Sequence, residues 1–296
     1  MLKRKNQFKQ DKLSPMTSIL FVVLCLYVLA MVVLFIWAFM TACKDDLMDY
    51  PVNKTGFPKD FYLFKNIGEV YRLGKMKPSD IEYDLIKMFG NSFLYAFGCA
   101  FARASVTCLM AYLAARYAYK ISSLIYTIVI VTMIVPIVGS LPSEIEIAHA
   151  LNIYNEIWGM WIMRANFLGM YFLVFYEFFK SLPRSYTEAA EIDGAGDMTI
   201  MLKIAFPLVL YTYLSVFLIY FIEYWNDYQI PKALMPYKPT IAYAMFCYAN
   251  ASGVNGLTNA PYVMTMALLV LIPILTIFLC FHKRLLGNLN IGGIKG

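Results

Sequence analysis

Charge is scarce in this 296-residue chain: Asp, Glu, Lys and Arg make up 15% of it, against 60% hydrophobic residues. A soluble domain carries about a quarter charged residues, so a surface facing water throughout is excluded and much of it is expected to face lipid. Histidine is scarcer still, with only His149 and His282, and neither has a second histidine at metal-ligand spacing. Metal-assisted hydrolysis and histidine-based triads lack raw material, and no metal site is expected. Cysteine occurs in no useful grouping: Cys25, Cys43, Cys99, Cys108, Cys247 and Cys280 are scattered, without a C-x-x-C pair. Buried free thiols fit that pattern better than disulfides. A G-x-x-x-x-G-K-[ST] phosphate loop is missing, so the chain cannot hydrolyse ATP unaided. The apolar runs also lack a pair of aspartates, or a Ser with a Lys, of the kind an intramembrane enzyme needs. The net charge of +6 forms no basic stripe, so nucleic acid is not an expected partner and charge is read by position instead.

Long apolar sequence is what the chain has in abundance. The run from Thr17 to Ala42 follows Lys3, Arg4, Lys5, Lys9 and Lys12, as a secretion signal would, and Met40-Thr41-Ala42-Cys43 faintly resembles a lipoprotein cleavage site. A signal's apolar core is about 7–15 residues, whereas this run of roughly 26 suffices for a ~30 Å hydrocarbon layer. Five more runs follow: Phe89 to Ala115, Ile121 to Leu141, Ile157 to Phe179, Phe206 to Ile222 and Tyr262 to Phe281. They are continuous and do not alternate as barrel strands do, so the expected fold is all-α, a polytopic membrane protein with six transmembrane helices. Lys and Arg collect in cytoplasmic loops. The basic N-terminal tail, the turn with Arg116 and Lys120, and the tail with Lys283 and Arg284 are therefore expected inside. The loop with Glu144, Glu146 and Glu156 is expected outside. One transmembrane domain over 1–296 results, in the plasma membrane, with both termini cytoplasmic. Its parts are a cytoplasmic N-terminal tail 1–16, an external loop 44–88, a cytoplasmic loop 180–205 and a cytoplasmic C-terminal tail 282–296.

The loop at 180–205 holds the most informative residues. Ser185 followed by Glu188 is a capping-box pattern that predicts a short helix, and Gly194 predicts its end, because glycine accepts the left-handed conformation there. Ala189 and Ala190 leave one side without bulk, while Glu188, Glu191 and Asp193 offer charge to a basic partner. The residues alone fit a docking peg and a solvated connector equally well.

Glu188-Ala189-Ala190, three residues, Gly194, nine residues, Ile204, one residue and Phe206-Pro207 resemble the EAA loop of binding-protein-dependent ABC importer permeases, E-A-A-x3-G-x9-I-x-L-P. Phe206 replaces the usual Leu. Phe178-Phe179-Lys180-Ser181-Leu182-Pro183 resembles the F-F-x-S-x-P lead-in of the carbohydrate-uptake-1 family, the sugar permeases of the maltose-transporter type. Trp225-Asn226-Asp227-Tyr228 is similar to that family's W-N-D-[FY] segment, and Gly292-Gly293-Ile294-Lys295-Gly296 to the G-x-x-K-G end of its shorter permease. The resemblance implies a non-catalytic transport subunit that alternates between inward-open and outward-open states. It implies as partners a second homologous permease, a dimeric cytoplasmic ABC ATPase that binds ATP and Mg, and an external solute-binding protein. This chain would bind no cofactor itself. Glu188, Ala189, Ala190, Asp193, Gly194 and Pro207 would couple it to the ATPase. A permease of the same architecture for a peptide, polyamine or phosphonate is the alternative; the W-N-D segment and the tail favour sugar. A secondary transporter would need repeated broken helices and membrane-embedded acids.

Four polar residues fall inside or beside the spans. Arg103 lies about 20 Å into its run and must face protein or water. Glu177 and Glu223 lie near the ends of their runs, at other depths, which points Arg103 to helix carbonyls, cavity water or the partner permease. Anchoring is favoured over substrate contact, since neutral sugars need no cation. Arg164 and Asn166 fit a cavity lining or helix-to-helix hydrogen bonds equally well, and Asn226 is a further candidate for the substrate path.

Overall fold

The computed structural model of the protein describes residues 15–78, 81–117, 120–135, 139–250 and 259–288. Residues 1–14 of the expected N-terminal tail and the Gly292–Gly296 motif lie outside the described residues, as do the side chains of Lys120, Lys283 and Arg284. The helices are α1 (Pro15–Ala42), α2 (Leu63–Leu73), α3 (Leu85–Arg116), α4 (Lys120–Ile134), α5 (Leu141–Ala150), α6 (Ile157–Arg164), α7 (Met170–Ser181), α8 (Ser185–Ile192), α9 (Asp197–Ile200), α10 (Phe206–Asn226), α11 (Gln229–Leu234), α12 (Ile241–Asn250) and α13 (Ala260–Asn288). One π-helical turn, Met201–Ala205, joins α9 to α10, and among the described residues there is no strand beyond a single bridge between Met76 and Tyr83.

Among the described residues, four stretches are long and apolar enough to cross a bilayer: α1, α3, the composite Asp197–Asn226 and Ala260–Phe281. They overlap the first, second, fifth and sixth expected runs. The third run is shorter than expected, since α4 stops at Ile134; after residues 136–138, which lie outside the described residues, Gly139 takes a φ of 82° before α5 begins. The fourth run is not one helix. α6 ends at Arg164, α7 starts at Met170, and Gly169 between them has φ 130° and ψ −179°, a conformation open essentially to glycine alone. Hydropathy is continuous across this break, so a sliding average does not register it.

At the head of α10 the Phe206 N–H donates to the Met201 carbonyl, five residues back. Pro207 follows with no N–H and a ring that crowds the preceding turn, and the wider π turn accommodates it.

α3 is the hub, packed against α10, α6 and α7. Its buried face is small: Ala96, Cys99, Ala100, Ala104 and Ala111 are fully covered, which lets neighbouring helices approach closely in an apolar medium. The Trp161 indole of α6 packs against Gly98 and donates to the Leu94 carbonyl at 3.0 Å; a Cβ on Gly98 would sit 2.0 Å from its Nε1. α10 runs antiparallel to α3 in a register set by Phe93 against Phe221, Phe97 against Phe217 and Ser105 against Tyr213.

α3 also separates two ends of the molecule. At its start, the segment from Ala42 to Asn66 is tied into a knot. Lys44 is completely buried and donates to the Asn53 carbonyl at 2.6 Å, Asn66 donates to the carbonyls of Ala42 and Lys44, and the Asp49 carboxylate takes the Lys59 N–H. The backbone N–H of Met48, then that of Leu47 and the Lys65 ammonium, hold Asp45 below the usual carboxylate range. At the far end of α3, Arg116 faces α8 across a cleft.

Candidate functional site

α8 starts differently from the expectation. Arg184 already has helical angles and is the N-cap, without a side-chain bond, so Ser185 sits inside the first turn and the Ser185–Glu188 capping box does not form. Pro183 fixes the approach, and the carbonyls of Pro183 and Arg184 take the N–H groups of Tyr186, Thr187 and Glu188. The other end is as expected. Gly194 has φ 78°, its N–H bonds to the Glu191 carbonyl, and the Ala195 N–H bonds to the Ala190 carbonyl, the paired bonds of a Schellman turn. α9 then runs on through the π turn into α10.

No residue of α8 is buried, and Ile192 beside the turn is 86% exposed. Glu188, Ala189 and Asp193 are exposed and Ala190 is half-buried. Among the described residues, no ion pair engages Glu188, Glu191 or Asp193. A cleft of about 530 Å³ lies behind the helix, bordered by Arg116, Lys180 and Arg184 on one hand and Glu188, Glu191 and Asp197 on the other. The expected residues 188–194 therefore form one exposed peg. Pro207 is exposed too, but lies two positions into α10 rather than on the peg. A helix of this kind carries no chemistry; an exposed apolar tip flanked by unpaired acids is suited to a partner with a basic-rimmed pocket.

The polar residues of the spans do not converge on one point. Arg103 pairs with Glu223 at 3.5 Å and the Tyr224 hydroxyl at 3.1 Å, and its guanidinium stacks over the Tyr220 ring at 4.5 Å. Depth therefore did not separate Arg103 from Glu223. Each side chain leans toward the start of its own helix, and in an antiparallel pair the two lean toward one another, closing the offset. The spacing of Tyr220, Glu223 and Tyr224, at i, i+3 and i+4, was the available signal. Arg164 is paired with Glu144 of α5, which also accepts from Ser140. Asn166 lies in the break between α6 and α7, where its carbonyl accepts from Thr107 of α3 at 3.2 Å. That contact holds non-helical backbone against protein, as the interior of a membrane requires. Asn226 is exposed at the end of α10 and donates to the Ile222 carbonyl. Asp227 beside it accepts from the Tyr95 hydroxyl at 2.9 Å and from the N–H groups of Gln229 and Ile230, so it fixes the turn after α10.

Comparison with known proteins gives the family and the fold. The chain is 28% identical over 250 residues to the melibiose/raffinose/stachyose import permease protein MelC of Bacillus subtilis, covering 82% of this chain and 85% of that protein. It is 27% identical over 255 residues to the sn-glycerol-3-phosphate transport system permease protein UgpE of Escherichia coli, covering 85% and 88%. A chain from the crystal structure of a bacterial ABC transporter involved in the import of the acidic polysaccharide alginate superposes with a TM-score of 0.74 at 19% identity, over 90% of this chain and 94% of that one, and so shares the fold. Residues 107–287, which contain α8, its glycine turn and α10, match the family model described as the binding-protein-dependent transport system inner membrane component. The chain belongs to this family of multi-pass, non-catalytic inner-membrane permease subunits.

Proposed function

We propose that this chain is one of two permease subunits of an ATP-driven sugar importer and that α8 transmits the ATPase stroke to the membrane helices. The observation that carries the proposal is the state of α8: a helix closed by a glycine turn, with no buried residue and with unpaired acids. Burial of Ile192 and the alanine side in a partner cleft would stabilise docking, and Glu188, Glu191 and Asp193 would orient the peg against basic residues there. In this reading α8, the 180–205 loop and both termini are cytoplasmic, and the 44–88 loop is external. The partners are a dimeric ATPase holding ATP and Mg, a second permease and an external solute-binding protein. ATP-driven closure of the ATPase dimer, acting through Glu188 to Gly194, swings the bundle from inward-open to outward-open. The names of the relatives support sugars or sugar phosphates as the class of solute.

The test is Glu188→Lys in the complex reconstituted with its ATPase, second permease and binding protein. Uptake and solute-stimulated ATP hydrolysis are expected to fall together at unchanged membrane levels of the chain. Undiminished uptake would make α8 a solvated connector.

A further inference from the structure

The exposed faces of the spans differ in chemistry. From Ile19 to Phe39 the exposed surface of α1 carries only apolar side chains apart from Tyr27. Along α3, from Phe93 to Leu113, the exposed residues are Phe93, Leu94, Phe97, Phe101, Leu109 and Leu113. Such faces suit lipid. α10 turns Val209, Tyr213, Val216, Tyr220 and Tyr224 inward. Away from that packed side it presents Leu208, Tyr211, Ser215, Ile219, Glu223 and Asn226, of which Tyr211 is 53% exposed and the Glu223 side chain 55%. Steps of three and four residues keep these six in one straight row, since 18 residues complete five helical turns at about 3.6 residues each. A carboxylate, an amide and a hydroxyl in one row are costly against hydrocarbon, so the row must meet protein, water or solute.

The hydrogen bonds within the row narrow the choice. The Ser215 hydroxyl donates to the Tyr211 carbonyl at 2.9 Å, and the Asn226 amide nitrogen donates to the Ile222 carbonyl at 2.8 Å. The Ser215 hydroxyl proton and one of the two Asn226 N–H groups are thus used inside the helix, which leaves the second Asn226 N–H and the Tyr211 hydroxyl as donors. The lone pairs of Ser215 Oγ, the Asn226 Oδ1 and the Glu223 carboxylate remain as acceptors, and an ionised carboxylate accepts only. The nearby cation is not free to bind an anion, because Arg103 is engaged by Glu223, Tyr224 and the Tyr220 ring. A row that offers both acceptors and donors, with the Tyr211 ring among them and no free cation, matches a ligand rich in hydroxyl groups and without negative charge.

We infer that this face of α10 lines the solute route and selects a neutral polyhydroxylated solute over an anionic sugar derivative. The inference rests on the import function proposed above and adds to it the class of solute and the residues that meet it.

The experiment uses the complete complex in proteoliposomes, cysteine-free except for Ser215→Cys or Ile219→Cys, with Val32→Cys on α1 as the lipid-facing control. A membrane-impermeant methanethiosulfonate is the label. Raffinose, maltotriose and cellobiose are the neutral probes, and sn-glycerol 3-phosphate and an alginate trisaccharide the anionic ones, each delivered with the binding protein. Both α10 cysteines are expected to label and the α1 cysteine to stay unlabelled, with at least one neutral sugar slowing α10 labelling by about threefold or more and neither anion doing so. Failure of both α10 cysteines to label places the row against lipid or the second permease and overturns the inference, as does protection by an anion or by no probe. Vanadate trapping separates the two readings. Labelling that responds to trapping but not to neutral sugars sinks only the inference about α10, whereas no response to trapping removes the import mechanism as well.

Discussion

The two long connectors of this protein treat charge in opposite ways. In the knot between α1 and α2, Lys44 and Asp49 are buried and Asn66 is spent on two backbone carbonyls. In α8 and its turn, Glu188, Glu191 and Asp193 are exposed and no residue is buried. The knot supplies partners for Lys44, Asn66 and one oxygen of Asp49, and these bonds define its conformation. The peg is shaped along its backbone, by Pro183 at the start and Gly194 at the end, and in the function proposed above its side chains meet another protein. A connector that satisfies its polar groups internally acts as a structural element, whereas one that leaves them free on a rigid backbone is built for docking.

The largest effect is expected where the peg depends on a single backbone conformation. Gly194→Val puts a β-branched residue at φ 78°, at a cost of about 1–3 kcal/mol in local strain. A coupling change of that size corresponds to roughly 5- to 150-fold. Uptake in the reconstituted complex should fall within that range while membrane insertion, followed by quantitative blotting, stays normal. Intact uptake at matched expression would mean that the turn carries no coupling.

An intermediate effect is expected at the knot. Lys44→Met deletes the donor to the Asn53 carbonyl, and leaving a buried carbonyl unpaired costs about 1–3 kcal/mol. Hydrogen exchange over residues 45–62 should accelerate, with uptake reduced less than by Gly194→Val. Unchanged exchange would show that Lys44 does not hold the knot and would erase the contrast between the connectors.

The smallest effect should come two residues beyond the peg. Gly196 has φ −74° and open space where a Cβ would go, so Gly196→Ala should shift stability and uptake by no more than about 0.5 kcal/mol. A loss matching that of Gly194→Val would show that this loop needs glycine for clearance against a partner rather than for its left-handed angle.

Much of this was legible along the chain. Run lengths located four spanning helices as single elements, because the bilayer imposes a length and a composition that any stretch displays by itself. Gly194 was legible because a helix stop is local chemistry. The capping box was not, although its sequence pattern is sound, because Pro183 starts the helical geometry before Ser185 is reached.

By itself the sequence determined the membrane environment, the helical class, the short helix that ends at Gly194 and the family, since each follows from composition or from short-range spacing. Tertiary structure alone decided which polar groups meet. Arg103 finds Glu223 and Tyr224 because antiparallel helices lean their side chains toward one another, and Arg164 finds Glu144 across two elements. It also decided that the fourth span breaks at Gly169 and that one face of α10 is left open with Tyr211, Glu223 and Asn226 on it. Those outcomes depend on which helix lies beside which and in what register, a relation between distant stretches of chain that hydropathy, averaged along one stretch, does not contain.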